Sequence, residues 1–355
     1  MKKLMITSAL AGLLVGGNAI AQTTISGEIR VSLKASGSEA IGGTTTSGRG
    51  FGVEQQINFA NKGKLNVGGL DYAAGFSLEN DGVQTTSLFN ENNYIDITNA
   101  ASGTTLSFSQ DHIQRSDTDR SAAVILGFSP QELSSGGVGS AANLFDQTAG
   151  PGVGASQSVA VLQKLGNIGT LSYNYAPTLT DQSTTTATTG AGSSETFSEN
   201  NEKSAYEIGF TGSLGVAGLD VAAFKSKQKQ KTGNLVQAEG EYIGLRYNMG
   251  QVTAGVARKV YNDDAATVAA KEEKTEKHYG LAYAVNKDFS VQILHATAEN
   301  SLKTTSVVDQ KTTGISIGYN LGPVALVAGV AQNEDIGGVR GQDSDVFYTR
   351  LIGAF

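Results

Sequence analysis

The sequence predicts an all-β fold, a closed antiparallel barrel of sixteen strands that crosses a membrane. Three observations lead to this prediction. Apolar and polar residues alternate in segment after segment, and the connections between the segments alternate between short and long. In addition, no segment after residue 21 approaches the roughly 18 apolar residues that a membrane-spanning helix needs. Any membrane crossing by this chain is therefore expected to use strands.

The first 21 residues are predicted to be an export signal. Two lysines follow the initial methionine, an apolar run covers residues 4–17, and the triplet Ala-Ile-Ala ends at Ala21. A basic start, a short apolar middle and an A-x-A end are typical of a secretory signal peptide that is cleaved there. The alternative, a membrane anchor, is too short to span as a helix. Residues 22–355 are then the mature barrel domain, outside the cytoplasm.

Composition narrows the class of protein. Acidic residues outnumber basic ones by 33 to 26, and cysteine is absent. An acidic chain is not expected to bind nucleic acid, or to bind anionic lipid through a polybasic patch. A secreted chain of this length without disulfides gains its stability from a large core or from a closed, hydrogen-bonded sheet in lipid.

The alternation is clear in the first mature segment, where Ile25, Ile29 and Val31 share one face and Glu28 and Arg30 share the other. Successive side chains of a strand point to opposite faces, so one face is apolar and the other polar. The predicted strands cover residues 25–34, 51–59, 70–78, 90–100, 103–112, 157–166, 168–177, 203–214, 216–228, 238–250, 251–262, 275–286, 288–300, 309–321, 323–334 and 343–355.

The connections between these strands alternate in length. Short turns are predicted at residues 61–64, 100–103, 166–169, 214–218, 250, 286–288 and 321–323. Long polar loops are predicted at residues 35–49, 80–90, 113–156, 178–202, 229–237, 263–274, 301–308 and 335–342. Short periplasmic turns, long extracellular loops and an even strand number are typical of bacterial outer-membrane barrels.

The interval 113–156 is the longest of these loops. Loops above about 15 residues are uncommon in compact domains unless they have a function. Because the interval follows the fifth strand of a barrel wide enough to hold water, we expect it to fold inward and narrow the lumen.

The chain ends on an alternating segment in which Phe347, Leu351 and Phe355 share one face. Together with the signal peptide, the sixteen strands and the long loop after the fifth strand, this terminus resembles the trimeric general porins of Gram-negative outer membranes. Residues 277–281, Lys-His-Tyr-Gly-Leu, and residues 325–335 are similar to the alphaproteobacterial branch of that family. The resemblance covers the whole mature chain and is one of pattern more than of motif.

This resemblance implies a multi-pass barrel in the cell outer membrane, a homotrimer, and a water-filled channel for passive diffusion of small hydrophilic solutes and ions. It also implies that the outer-membrane assembly machinery recognises Phe355, and that the barrel contacts outer-membrane lipid and lipopolysaccharide. The first and last strands are expected to pair, because an open edge in lipid leaves backbone groups unsatisfied.

In the porin family, acidic side chains of the third loop face basic side chains of the wall, and the resemblance implies the same here. Carboxylates beside a polar lumen attract cations, and a facing basic cluster adds a transverse field that sorts dipolar solutes. The alternative for any single residue is an ordinary solvated loop charge. The acidic candidates for the pore constriction are Asp111, Asp117, Asp119, Glu132 and Asp146.

Alternation also assigns basic side chains to the wall. If Ile29 faces lipid, its neighbour Arg30 faces the lumen, and arginine on the lipid face would cost about 2–4 kcal/mol at the bilayer midplane. The basic candidates for the pore wall are Arg30, Lys34, Arg246 and Arg350. Further candidates for the wall are Lys225, Lys227 and Lys229. The alternative is that these lysines belong to the loop that follows the strand.

One feature departs from the enterobacterial pattern. The inward faces of the second to fourth strands carry no arginine, so the resemblance does not place a basic ladder on these strands. Their polar side chains are Glu54, Gln56, Asp71, Glu79 and Asp96.

No enzyme site is predicted. The three histidines, His112, His278 and His295, show neither a Ser/His/Asp order nor a metal-ligand spacing. No cofactor is expected, and the question whether calcium bridges acidic loops is left open. Two alternatives to a general porin remain: a substrate-selective channel that grips an anionic nutrient through its arginines, and a surface adhesin or structural barrel with a blocked lumen.

Overall fold

The structure is a computed structural model that describes residues 22–39, 45–81, 89–110, 128–134, 144–145, 153, 156–177, 186–189, 196–199, 203–230, 238–263, 272–301 and 308–355. The predicted signal peptide, residues 1–21, lies outside them. No helix among these residues is long and apolar enough to cross a membrane.

Strands account for most of the described chain. They are β1 (Gln22–Glu39), β2 (Thr45–Lys64), β3 (Leu70–Asp81), β4 (Phe89–Asn99), β5 (Thr104–Gln110), β6 (Ser158–Lys164), β7 (Thr170–Ala176), β8 (Thr186–Thr189), β9 (Thr196–Glu199), β10 (Lys203–Gly212), β11 (Leu219–Gln230), β12 (Ala238–Met249), β13 (Val252–Asp263), β14 (Glu272–Ala284), β15 (Phe289–Asn300), β16 (Gln310–Asn320), β17 (Val324–Glu334) and β18 (Asp343–Ala354). A five-residue helix, α1 (Pro130–Ser134), lies between β5 and β6.

Sixteen of these strands form one closed antiparallel barrel, which confirms the predicted fold class. Each barrel strand pairs with the next one along the chain, and β1 pairs with β18 to close the ring. The two remaining strands, β8 and β9, form a separate two-stranded sheet within the predicted loop 178–202.

The alternation in sequence becomes an alternation between lipid and lumen. On β16, Ile315, Ile317 and Tyr319 are exposed on the outer face, whereas Gln310 and Thr312 are buried on the inner face. A membrane barrel needs this arrangement, because hydrocarbon solvates the outer face and water or protein contacts the inner one.

The barrel closes at the last residue. Gly27 and Phe355 exchange two backbone hydrogen bonds of 3.0 Å, so no open edge remains at this end of β1. A side chain at Gly27 would have no space, because an added Cβ would lie 2.3 Å from the Phe355 ring and 2.7 Å from the backbone oxygen of Gln56.

The first hairpin differs from the prediction. The predicted turn at residues 61–64 is part of β2, and the chain instead reverses at residues 65–69, where Gly68 and Gly69 have positive φ. Gly63, part of the predicted turn, instead pairs with Tyr72 of β3, and the Tyr72 ring packs over it, so that an added Cβ would lie 3.0 Å from that ring. The predicted long loop 35–49 is correspondingly shorter, since β1 extends to Glu39 and β2 begins at Thr45.

Candidate pore constriction

The helix α1 is stabilised by its own first residues. The Ser129 Oγ accepts a hydrogen bond of 3.1 Å from the Glu132 backbone N–H, and the Glu132 carboxylate accepts one of 2.9 Å from the Ser129 N–H. This reciprocal capping box satisfies two donors that a helix start leaves open, and Pro130 suits the first helical position because it has no N–H to satisfy. A short helix can therefore form inside a long loop.

Apolar side chains dock this helix on the inner wall. Phe128 and Leu133, which are 1% and 3% exposed, form one cluster with residues of three strands. The wall residues of the cluster are Leu294, Val327 and Ala331, with Tyr348 and Ile352 beside it. Phe128 meets Tyr348 edge-to-face at a centroid distance of 4.7 Å. Burial of this surface holds the helix against β15, β17 and β18.

Charged groups fix the orientation of the helix. The Glu132 carboxylate forms an ion pair with Arg350, and the Lys34 Nζ donates a hydrogen bond of 3.1 Å to the Glu132 backbone oxygen. The Arg350 guanidinium lies 5.4 Å and 5.3 Å from the ring centroids of Phe128 and Tyr348. At such distances each ring face attracts the cation. Three of the predicted site residues, Lys34, Glu132 and Arg350, are thus brought together.

A second part of the same loop is anchored further round the ring. Leu144 and Phe145 are buried against Ala296 and Ala298 of β15. The Leu144 N–H donates a hydrogen bond of 2.8 Å to the side-chain oxygen of Gln310. Both anchors of the interval 113–156 therefore contact the inner faces of late strands.

The anchors lie across the lumen from the point where the loop begins. The loop leaves the sheet after β5, and β15 is the strand opposite β5 in the sixteen-membered ring. The described loop residues 128–134 and 144–145 therefore contact the inner wall on the far side of the ring from β5. That the whole interval 113–156 folds inward stays a prediction.

The other predicted site residues are distributed as follows. Arg30 contacts Glu28 and lies 2.6 Å from Glu54, on β1 and β2. Arg246 pairs with Asp220 at 2.8 Å, near the short-turn ends of β11 and β12 and away from the loop. The acidic candidates outside the described residues are Asp111, Asp117, Asp119 and Asp146.

The suggestion that Lys225 and Lys227 face the lumen is wrong. Both lie on the outer face of β11, where Lys225 pairs with Glu241 at 2.5 Å and Lys227 pairs with Glu239. The inner face of this strand carries Phe224, which stacks on Tyr242 at 5.2 Å. Each outward lysine is neutralised by a carboxylate opposite it on β12, which lowers the cost of an outward charge.

Sequence reasoning missed a buried cluster of three ionisable residues. Lys259 lies 2.7 Å from Glu276, and Glu276 lies 3.0 Å from His278, with all three side chains at most 4% exposed. The ring of Phe145 lies 6.0 Å from that of His278. The alternation of side chains along β14 could have indicated this cluster, because Glu276 and His278 are two residues apart and share the inner face of that strand. No group of three metal-ligating side chains occurs in the described ranges.

Comparisons with known proteins agree with this geometry. The profile of one family, described as Gram-negative porin, matches residues 7–338. A search of curated protein sequences finds no match.

Three solved structures show the same fold. An anion-selective porin from Comamonas acidovorans has 13% identity and a TM-score of 0.65, covering 94% of this chain and all of its own. The trimer form of OmpT, an outer-membrane protein of Vibrio cholerae, has 12% identity and a TM-score of 0.58, covering 94% of this chain and 99% of its own. A Rhodopseudomonas blastica porin has 13% identity and a TM-score of 0.57, covering 94% of this chain and all of its own.

The family match extends over most of the chain, and the described strands form a closed barrel of sixteen strands like those of the similar solved structures. The chain belongs to the Gram-negative porin family and forms a non-enzymatic channel in the outer membrane.

Proposed function

We propose that this porin conducts small hydrophilic solutes and ions by passive diffusion, with a preference for cations. The observation that supports the preference is the charge of the inner wall on the first three strands. Glu28, Glu54 and Glu79 lie on the inner faces of the adjacent strands β1, β2 and β3, around the single guanidinium of Arg30. An excess of carboxylates along a water-filled lumen attracts cations and repels anions.

The cations nearest to this group are already engaged. Glu132 of α1 binds Arg350 through its carboxylate and Lys34 through its backbone oxygen. The helix α1 therefore engages two basic wall residues, whereas the side chains of Glu28 and Glu54 remain about one third exposed. This arrangement favours a negative potential in the open part of the lumen.

An anion-specific channel is less well supported. The three arginines that would grip an anionic nutrient each contact a carboxylate: Arg30 with Glu28 and Glu54, Arg246 with Asp220, and Arg350 with Glu132. A bound anion would have to displace these partners. A surface adhesin or structural barrel with a blocked lumen is distinguished by the absence of conductance.

The cation preference is tested by replacing both Glu54 and Glu79 with glutamine. Two of the three local carboxylates are lost, so we expect the cation-to-anion permeability ratio to fall to about one. The measurement is the reversal potential across a KCl gradient in planar bilayers. The matched control replaces Glu299 and Glu334, two carboxylates on the outer faces of β15 and β17, and should leave the ratio unchanged.

The same recordings test the other two functions. A reversal potential that is unchanged in the Glu54→Gln, Glu79→Gln variant would contradict the acidic wall as the source of selectivity. Block by one anionic solute at low concentration would favour the substrate-selective channel. A folded protein without conductance would favour the adhesin.

We also infer how the chain reaches and occupies the membrane. Residues 1–21 are removed as a signal peptide, and Phe355 serves as the assembly signal. Three copies form a homotrimer, an inference supported by the family and by the trimer form of the similar Vibrio cholerae protein. The outer wall contacts lipopolysaccharide and other outer-membrane lipid. Loop residues Asp111, Asp117, Asp119 and Asp146 contribute further negative charge to the constriction.

A further inference from the structure

One buried side chain of the inner wall holds two separate loops. Gln310 is the first residue of β16 and is fully buried on the inner face, directly opposite Ala298 of β15. Its side-chain oxygen accepts a hydrogen bond of 2.8 Å from the Leu144 N–H and another of 3.0 Å from the Gly337 N–H. An amide oxygen has two lone pairs, so this one atom can serve both donors.

The two donors belong to different loops. Leu144 is part of the second anchor of the interval 113–156, where it and Phe145 pack against Ala296 and Ala298. Gly337 is part of the turn between β17 and β18, residues 335–342, which we call the last loop. Gln310 therefore stands between a loop at the mouth of the channel and the loop that is predicted to narrow it.

The last loop is a closed unit. The Ile336 N–H donates a hydrogen bond of 2.7 Å to the Gln342 backbone oxygen, and the Gly341 N–H donates one of 2.7 Å to the Asp335 carboxylate. The Ile336 side chain is buried, which fixes the loop on the barrel. We expect a turn that is bonded across its base to move as one piece. A displacement of its exposed residues would then reach the Gly337 N–H.

The two hydrogen bonds to Gln310 support each other. Each bond fixes the rotamer of the Gln310 side chain, so the second bond forms at a lower entropic cost than the first. Because Leu144 and Gln310 are both buried, a Leu144 N–H that loses its acceptor bears the full cost of its desolvation. Docking of one loop therefore favours docking of the other.

We propose that Gln310 is a positioning residue that couples the last loop to the second anchor of the interval 113–156. While the Gly337 N–H is bound, the Gln310 side chain keeps the orientation that accepts the Leu144 N–H. When the last loop is displaced, the side chain gains rotational freedom and the second anchor loosens. The coupling acts equally in the opposite direction. This inference goes beyond the proposed function, because it concerns what holds the constriction in place and not which solutes pass.

The first experiment separates the acceptor oxygen of Gln310 from the bulk of its side chain. Hydrogen–deuterium exchange at the Leu144 and Gly337 amides is measured in the mature porin in detergent, as wild type, Gln310→Met and Gln310→Glu. Methionine has a similar length but no strong acceptor, so both amides should exchange at least about tenfold faster. A glutamate oxygen at the same reach accepts both N–H groups, so exchange in Gln310→Glu should stay within about threefold of wild type.

The second experiment displaces the last loop and leaves Gln310 in place. Gly337 has a φ of 70°, a left-handed conformation that disfavours a Cβ, so Gly337→Ala should loosen the last loop. The Leu144 amide should then exchange at least about fivefold faster, although the substitution lies in the other loop. The matched control is Gly322→Ala, which introduces the same kind of strain at a φ of 93° in the short turn at the opposite end of β16 and β17. The control should leave Leu144 exchange at the wild-type rate.

Two further measurements follow the coupling to the channel. In the Gln310→Met background, Gly337→Ala should cause no additional increase in Leu144 exchange, because the connection is already lost. Single-channel recordings should show more frequent current fluctuations in Gly337→Ala than in Gly322→Ala, because the second anchor is loosened. The recordings rest on the proposed channel function, whereas amide exchange does not.

Two results would overturn the proposal. Wild-type exchange of the Leu144 amide in Gly337→Ala would mean that the two loops dock independently. Equal acceleration in Gln310→Glu and Gln310→Met would mean that the residue fills space and does not act as the shared acceptor. If Gln310→Met folds poorly, the comparison of Gly337→Ala with Gly322→Ala still decides the coupling. A folded wild type without conductance would contradict the channel function, and amide exchange would still test the coupling.

Discussion

Replacing Arg350 with glutamine should loosen the attachment of α1 to the barrel wall. Arg350 and Glu132 are 11% and 25% exposed, so their ion pair is largely shielded from water. A hydrogen bond to a charged group contributes about 1.5–3 kcal/mol. The variant also loses the attraction between the guanidinium and the Phe128 ring, whereas Lys34 stays bound to the Glu132 backbone oxygen.

Hydrogen–deuterium exchange measures this loss directly. Each 1.4 kcal/mol changes an opening equilibrium about tenfold, so amides of residues 128–134 should exchange about 10- to 150-fold faster in the Arg350→Gln variant. Single-channel recordings should show more frequent current fluctuations, because the undocked loop moves within the lumen.

The control variant is Arg246→Gln, which removes an arginine that pairs with Asp220 on β11 and β12, two strands that α1 does not contact. This pair is 40% and 64% exposed and should contribute little, so exchange at residues 128–134 should stay at the wild-type rate. In a double-mutant cycle, Glu132→Gln should cause almost no further increase in the exchange rate of residues 128–134 once Arg350 is replaced. Wild-type exchange in the Arg350→Gln variant, or fully additive effects in the cycle, would refute the reasoning.

Two further substitutions test packing. Phe128→Ala should cost about 3–5 kcal/mol of docking free energy, because the side chain is almost fully buried, and should raise both exchange of the loop and single-channel conductance. Wild-type conductance in this variant would mean that the helix does not limit the current. Gly27→Ala should destabilise barrel closure by about 1–3 kcal/mol, because the new Cβ meets the Phe355 ring and the Gln56 backbone, and should lower the temperature at which the heat-modifiable form is lost. Gly37→Ala on the same strand has open space and serves as the control, so equal melting of the two variants would contradict the clash.

The barrel could be predicted because its physics is local and repetitive. Each strand meets lipid on one face and a polar interior on the other, so its sequence alternates at every second residue. Ile315, Ile317 and Tyr319 show this directly, since each is exposed on the outer face as its parity requires. The length of the first hairpin was less predictable, because it depends on how the Tyr72 ring covers Gly63 across the strands.

The constriction could be predicted only in outline. The alternation along β18 predicts that Arg350 faces inward, and the loop length indicates an internal loop. Neither observation identifies Glu132 as the partner of Arg350, because this contact depends on where the loop docks. The capping box of Ser129 and Glu132 is a local signature and could have indicated the helix in advance.

Charged side chains on the outer face of the barrel were the main source of error in the sequence-based assignment of lumen residues. Alternation separates the two faces of a strand, but polarity alone does not distinguish a lumen from the headgroup region of a membrane. Lys225 and Lys227 look like lumen residues when β11 is read alone. Only the pairing of β11 with β12 brings Glu241 and Glu239 opposite them and makes an outward position acceptable.

The docking of the third loop has a consequence for the order of folding. The partners of α1 come late in the chain: Asn333 follows Leu133 by 200 positions, and Arg350 follows Glu132 by 218. Contacts between such distant positions form slowly, because a large chain segment must be ordered first. The helix has no surface to bind until the final strands have entered the membrane and the ring has shut. We therefore expect a newly closed barrel to have a wider lumen than the mature channel until residues 128–134 have docked.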